Sequence, residues 1–262
     1  MDWLDTLRRT FLDFGAMWEV FPQLLKIGLR NTLIISLAAT AIGLVLGMIV
    51  AVMGISTSRW LRIPARIYTD VFRGLPAILT ILLIGQGLAR FSQQLFGPSP
   101  YPLGILALSL IASAYIGEIF RAGILGVDKG QLEACRALAM SYPKAMRLVV
   151  VPQGIRRMLP ALVNQFIAIV KDSSLVYFLG LLVSQRELFR VGQDAAVLTG
   201  NLSPLVMAGV FYMIITVPLT HLVNHIDHRF RTGHRPSAPA SGLNEVDELD
   251  QAVPALTLGE NT

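Results

Sequence analysis

From residue 31 to residue 58, between Arg30 and Arg59, the chain carries no charged side chain. Within that gap Leu33 to Met53 is almost wholly apolar, long enough for a helix of ~20 residues to cross a bilayer. In lipid the backbone must satisfy its own hydrogen bonds, so such a stretch must be helical unless it belongs to a closed barrel. The rest of the chain agrees. Only 15% of the 262 residues are charged and 53% are hydrophobic, against roughly 25% charged in a soluble domain. An ordinary soluble domain and a disordered chain are both excluded as the main body. The net charge of +5 raises the question of nucleic acid, but basic loops on a membrane protein are the simpler cause, so no nucleic-acid partner is expected. The single cysteine, Cys135, rules out an internal disulfide framework. The acidic start lacks the basic and apolar regions of a signal peptide.

The other gaps place four more spans. One runs from about Tyr68 to Phe91, its uncharged part (74–89) short but extensible by snorkelling of Arg73 and Arg90. Another runs from about Leu103 to Phe120, ending on Glu118 and Arg121, which are three apart and can pair on one helix face. A fourth, Met158 to Gln185, has Lys171 and Asp172 in its middle. The fifth, Leu202 to Ile226, lies in a stretch uncharged from 195 to 226. In the first span Gly43 and Gly47 are spaced as GxxxG, which either lets two backbones approach closely or reflects the general frequency of small residues in membrane helices.

Five spans put the termini on opposite sides. Fourteen basic residues fall on the loops of one side and seven on those of the other, with Lys171 on neither. The positive-inside rule therefore predicts the N-terminus outside and the C-terminus in the cytoplasm. Residues 1–30 are mixed in polarity, with Asp13, Glu19 and Lys26 breaking any span. They form an extracytoplasmic segment that fits a short surface helix. Residues 31–230 form the transmembrane domain. Residues 231–262, rich in Pro, Ser, Ala and acids, read as a disordered cytoplasmic tail.

The longest loop, about 121–158, exceeds a plain connector by far. Gln131 to Met140 has helix-forming composition. Ser141-Tyr142-Pro143 reads as a stop and a restart, and Pro152 as the end of the second short helix. Two short helices at an elbow make a surface knob, either a lid over the membrane domain or a docking element for a cytoplasmic partner. The segment resembles the EAA loop of ABC importer permeases, whose pattern is Glu-Ala-Ala, three residues, Gly, nine residues, Ile-x-Leu-Pro. Glu133, Ala134 and Cys135 stand at the first places, Ala139 where Gly is usual, and Val149, Val151 and Pro152 at the close. The spacing is intact, and the departures are to small or similarly shaped apolar residues. Ala139 matters most, because glycine permits close approach and unusual backbone angles.

The resemblance extends over roughly residues 20–230. Phe72-Arg73-Gly74-Leu75-Pro76, the stretch Ala114 to Gly123, Asn164-Gln165-Phe166 and Lys171-Asp172-Ser173-Ser174-Leu175 are similar to the motifs of the polar amino-acid branch, which serves histidine, glutamine, glutamate and arginine. It implies an all-α, methionine-permease-like fold with five transmembrane helices and a cytoplasmic coupling loop. It also implies a non-catalytic translocation subunit with no cofactor in this chain. ATP and Mg belong to a partner ABC ATPase dimer. The further partners implied are a second permease subunit, identical or related, and an extracytoplasmic amino-acid-binding protein, within the lipid bilayer.

Charged residues in mid-membrane cost about 2.5–3.5 kcal/mol each on insertion scales and usually face a cavity or a partner. Adjacent residues point about 100° apart on a helix, so Lys171 and Asp172 cannot simply face each other. Gln165 shares a face with Asp172 and Asn164 with Lys171, and Ser173 and Ser174 follow. Such a stripe suits a zwitterion, so these residues are candidates for the substrate path, with Glu118 and Arg73. The alternative is a structural ion pair with another span through Glu118 or Arg73, the serines satisfying helix carbonyls. Glu133, Ala134, Cys135, Ala139 and Pro152 are the candidates for ATPase coupling.

Other chemistry is poorly supported. His221, His225 and His228 share a helix face but lack the general-base Glu of a His-Glu-x-x-His site, and no metal site is expected. No Walker loop and no Gly-x-Ser-x-Gly occurs. Cys135 reads as a small packing residue. A same-fold permease for another small solute remains the nearest alternative. A secondary transporter fits less well, since five spans without an internal repeat are few for that class.

Overall fold

The structure, a computed structural model, describes residues 3–231. The tail expected over 231–262 lies, apart from Arg231, outside the described residues, as does the side chain of His228. Every regular element among the described residues is helical. They are α1 (Trp3–Phe11), α2 (Phe14–Gln23), α3 (Arg30–Ile55), α4 (Arg59–Gly74), α5 (Ala77–Gly87), α6 (Ala89–Phe96), α7 (Tyr101–Leu125), α8 (Lys129–Ala137), α9 (Tyr142–Ala145), α10 (Val151–Asp172), α11 (Leu188–Thr199) and α12 (Ser203–Arg231).

Among the described residues four helical stretches are long and apolar enough to cross a membrane, and a bent pair that passes the same test together brings the number to five if it is one span. That pair is α4 and α5, which meet at 106°, so the segment expected over about 68–91 is part of a bent pair that starts at Arg59. The cause is local. Pro76 disfavours helical angles at the residue before it, and Leu75 is extended (ψ 142°). A second break at Leu88 starts α6.

The helix that carries the first span begins earlier than its charges suggest. The helix runs unbroken from Phe14 through a π-helical stretch, Leu24–Leu29, into α3. Only α1 stands apart there as a short helix with no buried residue. Met17, Val20 and Leu24 are buried, and Val20 and Leu24 form a cluster with Leu188, Val191, Ala208 and Phe211. Asp13 caps α2 through the N–H groups of Gly15 and Ala16, and its own N–H donates to Ser203 Oγ at 2.9 Å.

Pro152 does not end a helix, contrary to expectation. The chain is helical from Tyr142 to Leu179. A π-helical stretch, Met146–Val150, precedes α10, and Pro152 sits in the first turn of α10. Proline's fixed φ suits that position, and the widened π turn accommodates its missing N–H.

The centre is the pairing of α3 with α7. Gly43 meets Ala112, and Gly47 meets Ile116 and Gly117, so the two helices run parallel with their backbones close together. The main cluster, including Ile35, Ala39, Ile81, Leu108, Ile116, Met158 and Val176, surrounds this seam. α10 and the 3₁₀ turn that continues it, Ser173–Leu179, run antiparallel to α7, with Met158 against Gly123 at one end and Val176 against Gly104 at the other. The end of α7, α8, α9 and the start of α10 thus share one side, here the loop side. The ends of α5 and α10 share the far side, where Leu179 covers Gly85. Outward-facing Leu37, Val45 and Val52 on α3, and Met213 and Ile214 on α12, remain exposed, the surface that lipid or a second subunit would cover.

Candidate functional site

On the loop side, Asp128 caps α8 by accepting from Gly130 N–H. α8 carries Glu133 and Ala134 on its exposed face and Cys135 on its buried face. Leu138, Tyr142 and Leu148 are also exposed, so the knob presents an apolar surface beside one free carboxylate. It is fastened to the bundle from beneath. Gln153 Nε2 donates to Gln131 Oε1 at 3.1 Å, and Arg157 donates to the Gly126 carbonyl. Pro152 is half-buried.

Ala139 has φ +58°, and among the described residues no other non-glycine residue has a positive φ. It follows the last turn of α8, where the Ala139 N–H donates to Arg136 O and the Met140 N–H to Cys135 O. This left-handed helix ending usually takes glycine, and a Cβ there is strained by roughly 1–2 kcal/mol. A139G is therefore expected to raise stability by about 1 kcal/mol. An upward shift of the melting temperature of the purified protein checks this, and a lowered one contradicts it.

Behind the knob, α3, α4 and α7 enclose a cavity of about 330 Å³ lined by Arg66, Asp70, Arg73, Glu118 and Arg121 among others. Glu118 accepts from Arg121 Nε at 2.9 Å and Nη2 at 2.8 Å, with Arg73 3.9 Å away. The Arg73 guanidinium lies over the Tyr115 ring, 5.2 Å from its centroid. The pairing of Glu118 with Arg121 thus exists, and Arg73 joins it. These pairs are partly exposed and contribute little stability. They leave a charged, accessible cavity.

Lys171 and Asp172 are elsewhere. They lie within the helical stretch Tyr142–Leu179, which is long and apolar enough to cross a membrane, at the point where α10 tightens into a 3₁₀ turn, Ser173–Leu179. Neither forms an ion pair among the described residues, and Glu118 and Arg73 pair in their own cluster instead. Lys171 and Asn164 are exposed, while Asp172 and Gln165 are half-buried. Ser173 Oγ donates to Val170 O and Ser174 Oγ to Lys171 O, each at 2.7 Å. The serine hydroxyls hold the helix end, and the two charges beside them stay free.

The sequence reading missed α11 and Glu187. Glu187 is fully buried between the last two spans. Its carboxylate accepts from Phe189 N–H at 2.6 Å, Arg190 N–H at 2.7 Å and Tyr212 Oη at 3.1 Å. Burial pushes the carboxyl up to about 7, against the opposing pull of those hydrogen bonds and of Arg190. Thr32 Oγ1 accepts from Leu188 N–H, and Asn31 Nδ2 donates to the Ser184 and Arg186 carbonyls. A polar knot thus ties the start of α3 to α11 and α12. Its signals were Glu187 ahead of apolar Leu188 and Val191, and Gly200 as a stop; Gly200 has φ +68°.

Known proteins share this fold. The model of the family described as "Binding-protein-dependent transport system inner membrane component" matches residues 43–232. The chain is 35% identical over 221 residues to the arginine transport system permease protein ArtQ of Bacillus subtilis, covering 84% of this chain and 98% of that protein. It is 32% identical over 223 residues to the glutamate/aspartate import permease protein GltK of Escherichia coli, covering 83% and 97%. A crystal structure of an amino acid ABC transporter with histidines superposes with a TM-score of 0.72 at 32% identity, covering 83% of this chain and 99% of that one. The MetNI methionine ABC transporter, at 18% identity and a TM-score of 0.62 over 79% of this chain and 95% of that one, shares the fold. By matched length, identity and architecture, the chain belongs to the binding-protein-dependent transport system inner membrane component family.

Proposed function

We propose that this chain is the membrane-spanning subunit of an ABC importer for polar amino acids. The observation that carries the reading is similarity along nearly the whole length of permeases whose names specify arginine and glutamate/aspartate. The exposed knob of α8 and α9 supports it. The chain moves substrate and performs no chemistry. ATP, with Mg, is hydrolysed by a dimer of separate ATPase subunits docked on the loop side, which faces the cytoplasm. The N-terminus and the far side face outward, where a binding protein delivers the amino acid. A second permease subunit, identical or related, completes the pore. Residues 1–30 form the extracytoplasmic segment and 31–230 the transmembrane domain.

The coupling follows from connectivity. α8 is joined to α7 on one side and to α10 on the other. A push on Glu133 and its apolar neighbours therefore reaches the helix that ends in Lys171 and Asp172. Those two charges offer an anion and a cation to a zwitterion, with Gln165 and Asn164 one to two turns away. At the other end, Arg73 and Glu118 line the cavity through which substrate leaves. Uptake of radiolabelled amino acids into vesicles holding the full complex tests this path. Asp172→Asn is expected to lower uptake about tenfold or more, with ATPase activity and assembly intact. Unchanged uptake would make the pair structural, and lost assembly would make Asp172 a packing residue.

A further inference from the structure

A second cavity, of about 350 Å³, opens on the far side between α5, α6, the start of α7 and the turn before Gly180. None of its lining residues is ionisable. Its polar groups are Gln86, Ser92, Gln93 and Ser99, and Leu103 and Leu179 form apolar wall. Ser99 is engaged, donating to Gln185 Oε1 at 2.8 Å and accepting from Tyr101 N–H. Ser92 is not. Ser92 is 4% exposed, yet its hydroxyl has no hydrogen-bond partner among the described residues. Other buried serines here, Ser36, Ser109 and Ser173, donate to a carbonyl three or four residues back. A buried hydroxyl without a partner is unfavourable and calls for an explanation. Ser92 lines the cavity, and a change of its χ1 rotamer, one rotation about a single bond, swings the oxygen to a new direction from which it can meet a group held there.

We propose that this cavity is an outer receiving site for the uncharged polar end of an amino acid, a carboxamide above all. A carboxamide carries a donor and an acceptor on one plane. It can pair with the hydroxyl of Ser92 and with the amides of Gln86 and Gln93, while its methylene stem lies on Leu103 and Leu179. An ionised end would enter without a counter-charge. The inference rests on the amino-acid importer reading and adds a substrate class to it. Acidic and basic side chains are disfavoured here, and glutamine-like ones are favoured.

The test is equilibrium binding of radiolabelled glutamine to the permease–ATPase complex in nanodiscs, without binding protein. Unlabelled asparagine should displace the label far better than lysine or aspartate does. Ser92→Ala is expected to weaken glutamine binding about fivefold, the loss of one neutral hydrogen bond. The variant deletes an unpartnered group, so folding should not suffer. Gln93→Leu, at an exposed position, should weaken it similarly. Wild-type affinity in both variants, or no glutamine binding by the wild type, overturns the proposal. ATP-driven uptake by the wild-type complex separates the two readings. Amino-acid uptake with unaltered variants sinks the cavity proposal alone, whereas absence of any amino-acid uptake sinks the importer reading and this proposal with it.

Discussion

Glu133→Lys is expected to cut amino-acid uptake about tenfold or more while the membrane domain still folds and ligand affinity of the binding protein is unchanged. Glu133 is exposed on α8, and no salt bridge within the chain engages it among the described residues. Its replacement therefore removes nothing from the fold. It does remove a carboxylate at the centre of a surface that also exposes Leu138, Tyr142 and Leu148. Reversing a charge at a docked interface, with one partner left unpaired, costs about 2–5 kcal/mol. ATP hydrolysis by the ATPase subunits should then persist without productive transport. Reconstituted vesicles, assayed in parallel for phosphate release and for uptake, read this directly. Normal uptake in the Glu133→Lys complex would show that the knob is not where the ATPase pushes.

The second large effect is on the fold itself. A Cβ at Gly47 would lie 2.9 Å from Ile116 Cγ2 and 3.0 Å from both Gly117 N and Ser113 O. Two of those neighbours are backbone atoms of α7 and cannot turn aside. Gly47→Leu is therefore expected to force α3 and α7 apart. The cost is about 3 kcal/mol, the upper end of the usual overpacking penalty, and the seam holds most of the main core. Thermal denaturation of the detergent-solubilised protein should show a large drop in melting temperature or a loss of folded material. Gly209→Ala is the control. Beyond the helix's own backbone, no atom of the described residues stands within 4 Å of a Cβ there, so the substitution should be neutral or slightly stabilising. A Gly47→Leu variant as stable as the control would mean that the helices do not approach as closely as described.

The membrane architecture was legible in the sequence because charge is what lipid excludes. The gap at 31–58 located α3, and the one before Glu118 located α7. The spacing of Gly43 and Gly47 left two readings open, and the close packing on Ala112 and Ile116 selects close approach. The spacing from Glu133 to Pro152 located the knob, and Ala139 was marked as the position where a missing glycine would matter. Its φ of +58° shows that the backbone there does take the angles glycine favours.

Other features were hidden for identifiable reasons. Hydropathy reports what surrounds a residue, not the direction in which the chain runs. The apolar stretch around Pro76 therefore merged α4 and α5 across a bend of 106°. Pro152 looked like a terminator because nothing in composition announces a π turn ahead of a proline. Lys171 and Asp172 do fall inside a span-length helix, but nothing in the composition announces that the regular helix tightens there into a 3₁₀ turn. Ser173 and Ser174 then satisfy carbonyls at that junction. Glu187 falls between the fourth and fifth apolar stretches of the sequence. Its importance comes from Tyr212, far away in sequence, and from burial that only packing reveals.

The account's central claim is that ATP hydrolysed by docked subunits, acting through α8 and α9, drives amino-acid entry. The direct test is accumulation of a radiolabelled polar amino acid in vesicles holding the reconstituted complex, with ATP on the loop side and binding protein on the far side, and no ion gradient imposed. The account predicts accumulation against the gradient that requires both ATP and binding protein and is lost in the Glu133→Lys complex. Accumulation driven by a proton or sodium gradient alone, without ATP, would contradict it.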